Sequence, residues 1–80
     1  DWIFFNGLSK VRQAVIIDML FNMGRTRFNP SKWPKFFEAI GNHDWDNASK
    51  EMLDSSWSKQ VRTRAERLSG MMKKDKWPAS

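Results

Sequence analysis

The stretch SKVRQAVIIDMLFNMG, Ser9–Gly24, decides how the rest of the chain is read. Val11, Ala14, Val15, Ile16, Ile17, Met19, Leu20, Phe21 and Met23 spread over most of a helical circumference, which predicts a central helix with neighbours on several sides. Ser9 is placed to cap it by accepting an orphan backbone N–H, and Gly24 to stop it, so the helix runs from Lys10 to about Met23. Two polar residues interrupt the apolar surface. Asp18 and Asn22 are four apart and stack one turn above the other on one face. Such a stripe faces either water or a cleft and a partner.

Outward from this helix, RTRFNPSKWP breaks the pattern with Asn29-Pro30 and Pro34, a loop followed by a new start. Ser31 is the expected cap of a second helix to Ile40, with Pro34 tolerated in its first turn. Trp33, Phe36, Phe37 and Ile40 form its apolar side, and Gly41-Asn42 ends it. Asp44 is expected to cap a third helix to about Leu53, with Trp45, Ala48, Met52 and Leu53 inward and Asp46 favoured in the first turn by the helix dipole. DSSWSKQ reads as a short helical turn around Trp57. A last helix from about Arg62 to Met72 turns Ala65, Leu68, Met71 and Met72 inward, and Trp77 is expected to pin the tail back onto the body. No segment alternates with period two, so the fold class is all-α: a compact bundle of about five short helices around the central one.

Size and composition bound what such a bundle can be. Eighty residues make one domain at most. Without cysteine there is no disulfide and no thiolate metal site, so the core carries stability, and Trp2, Trp33, Trp45, Trp57 and Trp77 supply its bulk. The net charge of +5 favours anionic surroundings: nucleic acid, anionic lipid or bacterial wall polymers. No apolar run approaches a membrane span, and DWIFFNGLSK lacks the pattern of a signal peptide. An apolar opening without an initiator Met reads as a segment cut from something longer.

The chemistry-bearing residues are sparse. Asp1, Glu38, Asp44, Asp46, Glu51, Asp54, Glu66 and Asp75 fall mostly at caps, first turns and exposed faces, and Asp18 alone has apolar neighbours. No carboxylate pair of the kind glycoside hydrolysis needs emerges. His43 is a loop residue with no second ligand or orienting partner, so neither a metal, a cofactor nor a catalytic residue is expected. Basic side chains gather in KQVRTRAER, where Arg64 and Arg67 share a helix face that reads either as solvated or as anion-binding.

LSKVRQAVIIDMLFNMG resembles the central helix of the C-terminal lobe of the T-even phage-type lysozymes (endolysins), glycoside hydrolase family 24. The similarity continues through WDNASKEMLDSSWSKQVRTRAERL, where Trp45, Ala48, Ser55, Trp57, Gln60, Arg64, Ala65 and Arg67 fit, and on to Trp77. It covers roughly Leu8–Trp77, leaving residues 1–7 as the end of an interlobe connection and 78–80 as a tail. Only the loop around RTRFNPSKW departs, being about two residues longer than the family pattern. The resemblance implies half of a two-lobe muramidase that cleaves the β-1,4 bond between N-acetylmuramic acid and N-acetylglucosamine in peptidoglycan. The catalytic Glu would lie in an absent N-terminal lobe.

It further implies that Arg64 ion-pairs with that Glu, that Arg67 and Asp18 belong to the lobe contact, and that Asn22, Gln60 and Ser56 line the sugar cleft. Two positions depart from the pattern. A well-known member of the family carries an amide where Asp18 stands and a Gln where the shorter Asn22 stands, so Asp18 is expected to pair internally with Arg64 or Arg67. The implied partners are peptidoglycan and the N-terminal lobe, with action in the host cytoplasm and then the cell wall during lysis. The alternative is a non-catalytic cationic module that binds cell wall or anionic lipid. Nucleic acid is not an expected partner, and nothing in the pattern assigns an oligomeric state.

Overall fold

A computed structural model describes Phe5 and residues 7–77 of the chain. The expectations that fall on Trp2, on most of 1–7 and on 78–80 lie outside the described residues. Among the described residues there are five helices and no strand: α1 (Lys10–Met23), α2 (Pro34–Gly41), α3 (Trp45–Asp54), α4 (Ser56–Gln60) and α5 (Arg62–Lys74). None of these helices is long and apolar enough to cross a membrane.

Local chemistry fixes most of the boundaries. Ser9 caps α1 by accepting from the Arg12 N–H, and Gly24 stops it with φ at 77°, in the region that glycine enters without steric cost. Asp44 accepts from the Asn47 N–H at the start of α3, and Ser55 accepts from the Ser58 N–H at the start of α4. The second helix differs from expectation. Its N-cap is Trp33, with no side-chain cap, rather than Ser31. Asn29 organises the turn instead: its Oδ1 accepts from the Lys32 N–H and its Nδ2 donates to the Arg25 and Thr26 carbonyls. With Pro34 at the first helical position, one donor that a cap would serve is already missing. The last helix runs two residues past Met72 and ends at Asp75, which takes the left-handed conformation at φ 57°.

Tertiary packing is densest where α3 lies along α5, with α2 against α3 and α1 against α5. Val15, Ile16 and Met19 of α1, Phe28 of the loop, Phe36 and Ile40 of α2, Met52 of α3 and Met72 of α5 are the largest fully buried side chains. Phe28 makes edge or tilted contacts with Trp33, Phe36 and Phe37, the arrangement favoured by ring quadrupoles.

Among the described residues, four large apolar side chains escape this core. Leu53 and Trp77 are exposed, so neither the inward Leu53 nor the tail-pinning Trp77 of the sequence reading holds. On α1, Ile17 is 43% and Phe21 86% exposed, although Ile16 beside them is buried. The apolar circumference of α1 is therefore covered on one side and open on another.

Candidate functional site

The open side of α1 carries the polar stripe. Asn22 folds back along the helix, its Nδ2 donating to the Asp18 carbonyl at 2.9 Å and to Asp18 Oδ1 at 2.8 Å. Arg64, on the first turn of α5, donates from Nη1 to the same carboxylate oxygen at 2.8 Å. The three residues form one exposed cluster, with Ile17 and Phe21 on the same helix as its apolar border. Asp18 is acceptor-only when ionised, and two of its acceptor sites are filled by these donors.

The other sequence-derived candidates do not join this cluster. Arg67 is exposed and makes no hydrogen bond or ion pair among the described residues, so of the two arginines it is Arg64 that pairs with Asp18. Gln60 is exposed at the end of α4. Ser56, at the start of α4, lines a groove of about 340 Å³ whose walls are Met23, Trp33, Phe36 and Trp57 and whose rim carries Arg27, Lys32, Lys35, Glu51 and Asp54. Asn22 does not line that groove, but Met23 follows it in the chain and does. No group of acidic or histidine side chains that could hold a metal ion occurs among the described residues.

Two features of the wider site carried no signal in the sequence. Trp57 is 4% exposed, and its Nε1 is, among the described residues, the buried side-chain polar atom left without a hydrogen-bond partner. An unmade buried donor costs about 1–3 kcal/mol, so an acceptor brought to it is favoured. The second feature is Arg12, 8% exposed although it stands in an apolar helix. Its Nε donates to the Met72 carbonyl at 2.7 Å and its Nη2 to the Lys73 carbonyl at 3.3 Å, which satisfies orphan acceptors at the end of α5.

The guanidinium also lies 3.8 Å from the Trp45 ring centroid and 3.6 Å from Asp75 Oδ2, and the Ser9 hydroxyl donates to the same Asp75. Burial pushes the Arg12 pKa below its ordinary value, and the Asp75 carboxylate partly opposes that shift. Arg12 thus ties the start of α1 to the end of α5. His43, expected as a loop residue, sits at φ 56° with its ring stacked on Trp45.

No protein-family model matches the chain. Among curated proteins, it is 31% identical over 64 residues to a probable T4-type lysozyme 2 of Dictyostelium discoideum, an alignment that takes in 80% of this chain and 36% of that protein. The chain therefore spans about a third of the length of the curated relative it matches. This sequence similarity supports a lysozyme-like relationship, and the all-helical bundle is consistent with it.

Proposed function

We propose that the chain is the C-terminal helical lobe of a phage-type lysozyme of glycoside hydrolase family 24, one wall of a cleft that hydrolyses the β-1,4 bond between N-acetylmuramic acid and N-acetylglucosamine. The observation that carries the reading is the open side of α1, where the Asp18–Asn22–Arg64 cluster lies beside exposed Ile17 and Phe21. Ile17 and Phe21 stand one turn apart on that face, and an apolar patch bordered by polar side chains suits a surface that meets a second lobe. In this reading the second lobe supplies the general acid, which glycoside hydrolysis requires beside a second carboxylate or an activated water. Arg64 would hold that carboxyl in place by opposite charge. Residues 8–77 form the lobe, Asn22, Gln60 and Ser56 stand toward the cleft, and Arg67 and Asp18 belong to the lobe contact. The partners are then peptidoglycan and the N-terminal lobe, and the place of action is the bacterial wall during lysis.

The experiment is a turbidity assay on purified peptidoglycan. The 80-residue chain alone is expected to leave the suspension turbid, and a longer polypeptide carrying this chain behind an N-terminal lobe is expected to clear it. Clearing by the 80-residue chain itself would sink the proposal. A second reading, a wall- or anionic-lipid-binding module without catalysis, draws on the +5 charge together with exposed Phe21 and Trp77. It predicts retention on peptidoglycan and dye release from anionic vesicles, with no reducing sugar formed by either polypeptide.

A further inference from the structure

The Asp18–Asn22–Arg64 cluster is arranged so that one side chain aims another. Asn22 Nδ2 ties Asp18 at two points, the backbone carbonyl at 2.9 Å and Oδ1 at 2.8 Å, so the carboxylate is directed by a single rigid turn of α1. That oxygen holds Arg64 Nη1 at 2.8 Å, and the other guanidinium donors make no hydrogen bond or ion pair among the described residues. Those donors form a fixed planar fork, so holding one nitrogen restrains the direction of the rest. We propose that Asp18 is the positioning residue of Arg64: it pins one guanidinium nitrogen to α1 so that the open part of the fork receives a carboxylate of the second lobe. This rests on the lysozyme reading, and deepens it by giving a role to an acid that carries the same charge as the carboxylate it would face.

Stability does not account for the cluster. The Arg64 and Asp18 side chains are 52% and 38% exposed, and pairs so open to water add little. The helix has no use for Arg64 either. The first turn of α5 has no acidic residue and its N-cap, Val61, offers no side-chain acceptor, so a cation there is set against the helix dipole. Asp18, from another helix, supplies the missing negative charge.

Charge alone argues against an acid at this place. An incoming carboxylate is repelled by Asp18 and would be held more strongly by an Arg64 with no acid beside it. What Asp18 adds is order: a free arginine samples many rotamers, a pinned one few, and a group already in place acts without first being ordered. Arg67 makes the contrast, for it lies on the same helix, is exposed and has no such anchor among the described residues.

The test reads the Arg64 guanidinium by NMR in mildly acidic buffer, assigned with Arg64→Lys, with Arg67 as the unpinned reference in the same spectrum. In the 80-residue chain the Arg64 group should rotate several-fold more slowly than that of Arg67. Asp18→Ala should bring the two rates together. Asp18→Asn keeps an acceptor oxygen without the charge, and should retain most of the difference. In the longer polypeptide that carries an N-terminal lobe, the Arg64 N–H signals should move downfield as a carboxylate takes up the open fork. On peptidoglycan, Asp18→Ala should lower kcat about tenfold at unchanged KM, and Asp18→Asn should recover most of the loss. Far-UV circular dichroism should be the same for both variants.

Equal rates for Arg64 and Arg67 in the unaltered chain, an Asp18→Asn variant that behaves like Asp18→Ala, or undiminished kcat in Asp18→Ala overturns the assignment. The hydrolase reading fails separately, on an unaltered longer polypeptide that leaves peptidoglycan turbid. Arg64 signals that do not move when the second lobe is present overturn the assignment whether or not peptidoglycan is cleared.

Discussion

Arg64 Nη1 donates to Asp18 Oδ1 at 2.8 Å, joining the first turn of α5 to α1 across 46 residues of chain. The same oxygen accepts from Asn22 Nδ2, so a cation, an anion and an amide share one exposed cluster. Arg64 and Asp18 side chains are 52% and 38% exposed, and that exposure decides their energetic weight. A pair so open to water is worth about 0.2–1 kcal/mol. A double-mutant cycle of Asp18→Asn and Arg64→Gln, read by urea denaturation, should give a coupling in that range that shrinks in high salt. A coupling well above it would mean that the pair holds the fold together.

Arg12 should behave in the opposite way. Arg12→Ala leaves the Met72 and Lys73 carbonyls without their donor and Asp75 without its cation. The expected loss is about 2–4 kcal/mol, from unsatisfied acceptors and lost stacking on Trp45. Arg12→Lys should recover less than half, since an ammonium cannot reproduce a planar fork lying on a ring. Because folding lowers the Arg12 pKa, the folded state binds that proton less tightly. The Arg12 contribution therefore moves stability upward only as pH approaches the strongly alkaline range of a free guanidinium, and denaturation between pH 6 and 9 should show no slope from this residue.

Two phenylalanines seven apart should give unequal results. Phe28 is fully buried among aromatic rings, and Phe28→Ala should cost about 3–5 kcal/mol. Phe21 is 86% exposed, and Phe21→Ser should change the stability of the 80-residue chain by less than about 0.5 kcal/mol. In a longer polypeptide carrying a second lobe, Phe21→Ser should lower stability measurably. Equal effects in both settings would show that nothing covers Phe21.

The capping residues can be ranked in the same way. Ser9→Ala and Asp44→Ala each remove an N-cap and should cost about 1 kcal/mol. Ser31→Ala should be near neutral, because Ser31 is exposed and caps no helix. Asn29→Ala removes three hydrogen bonds of the loop and should cost more than Ser31→Ala in the same thermal melt.

The sequence by itself determined the elements whose chemistry is local. Ser9 with Gly24, Asp44 with its first turn, and Ser55 before Trp57 act over three or four residues, so the ends of α1, α3 and α4 are written in adjacent letters. Asp18 and Asn22 were visible as a stripe for the same reason. Tertiary structure alone decided which side of α1 is covered, because apolar periodicity records what can be buried and not what is there to bury it. Ile16 and Ile17 are adjacent and chemically alike, yet one is in the core and the other at the surface. The partners of Arg12 lie 60 and 61 residues away, and the Trp57 indole lacks an acceptor because of how distant segments pack around it. Such relationships depend on where α5 and the Gly24–Trp33 loop come to rest, which is a sum of long-range contacts that no short stretch encodes.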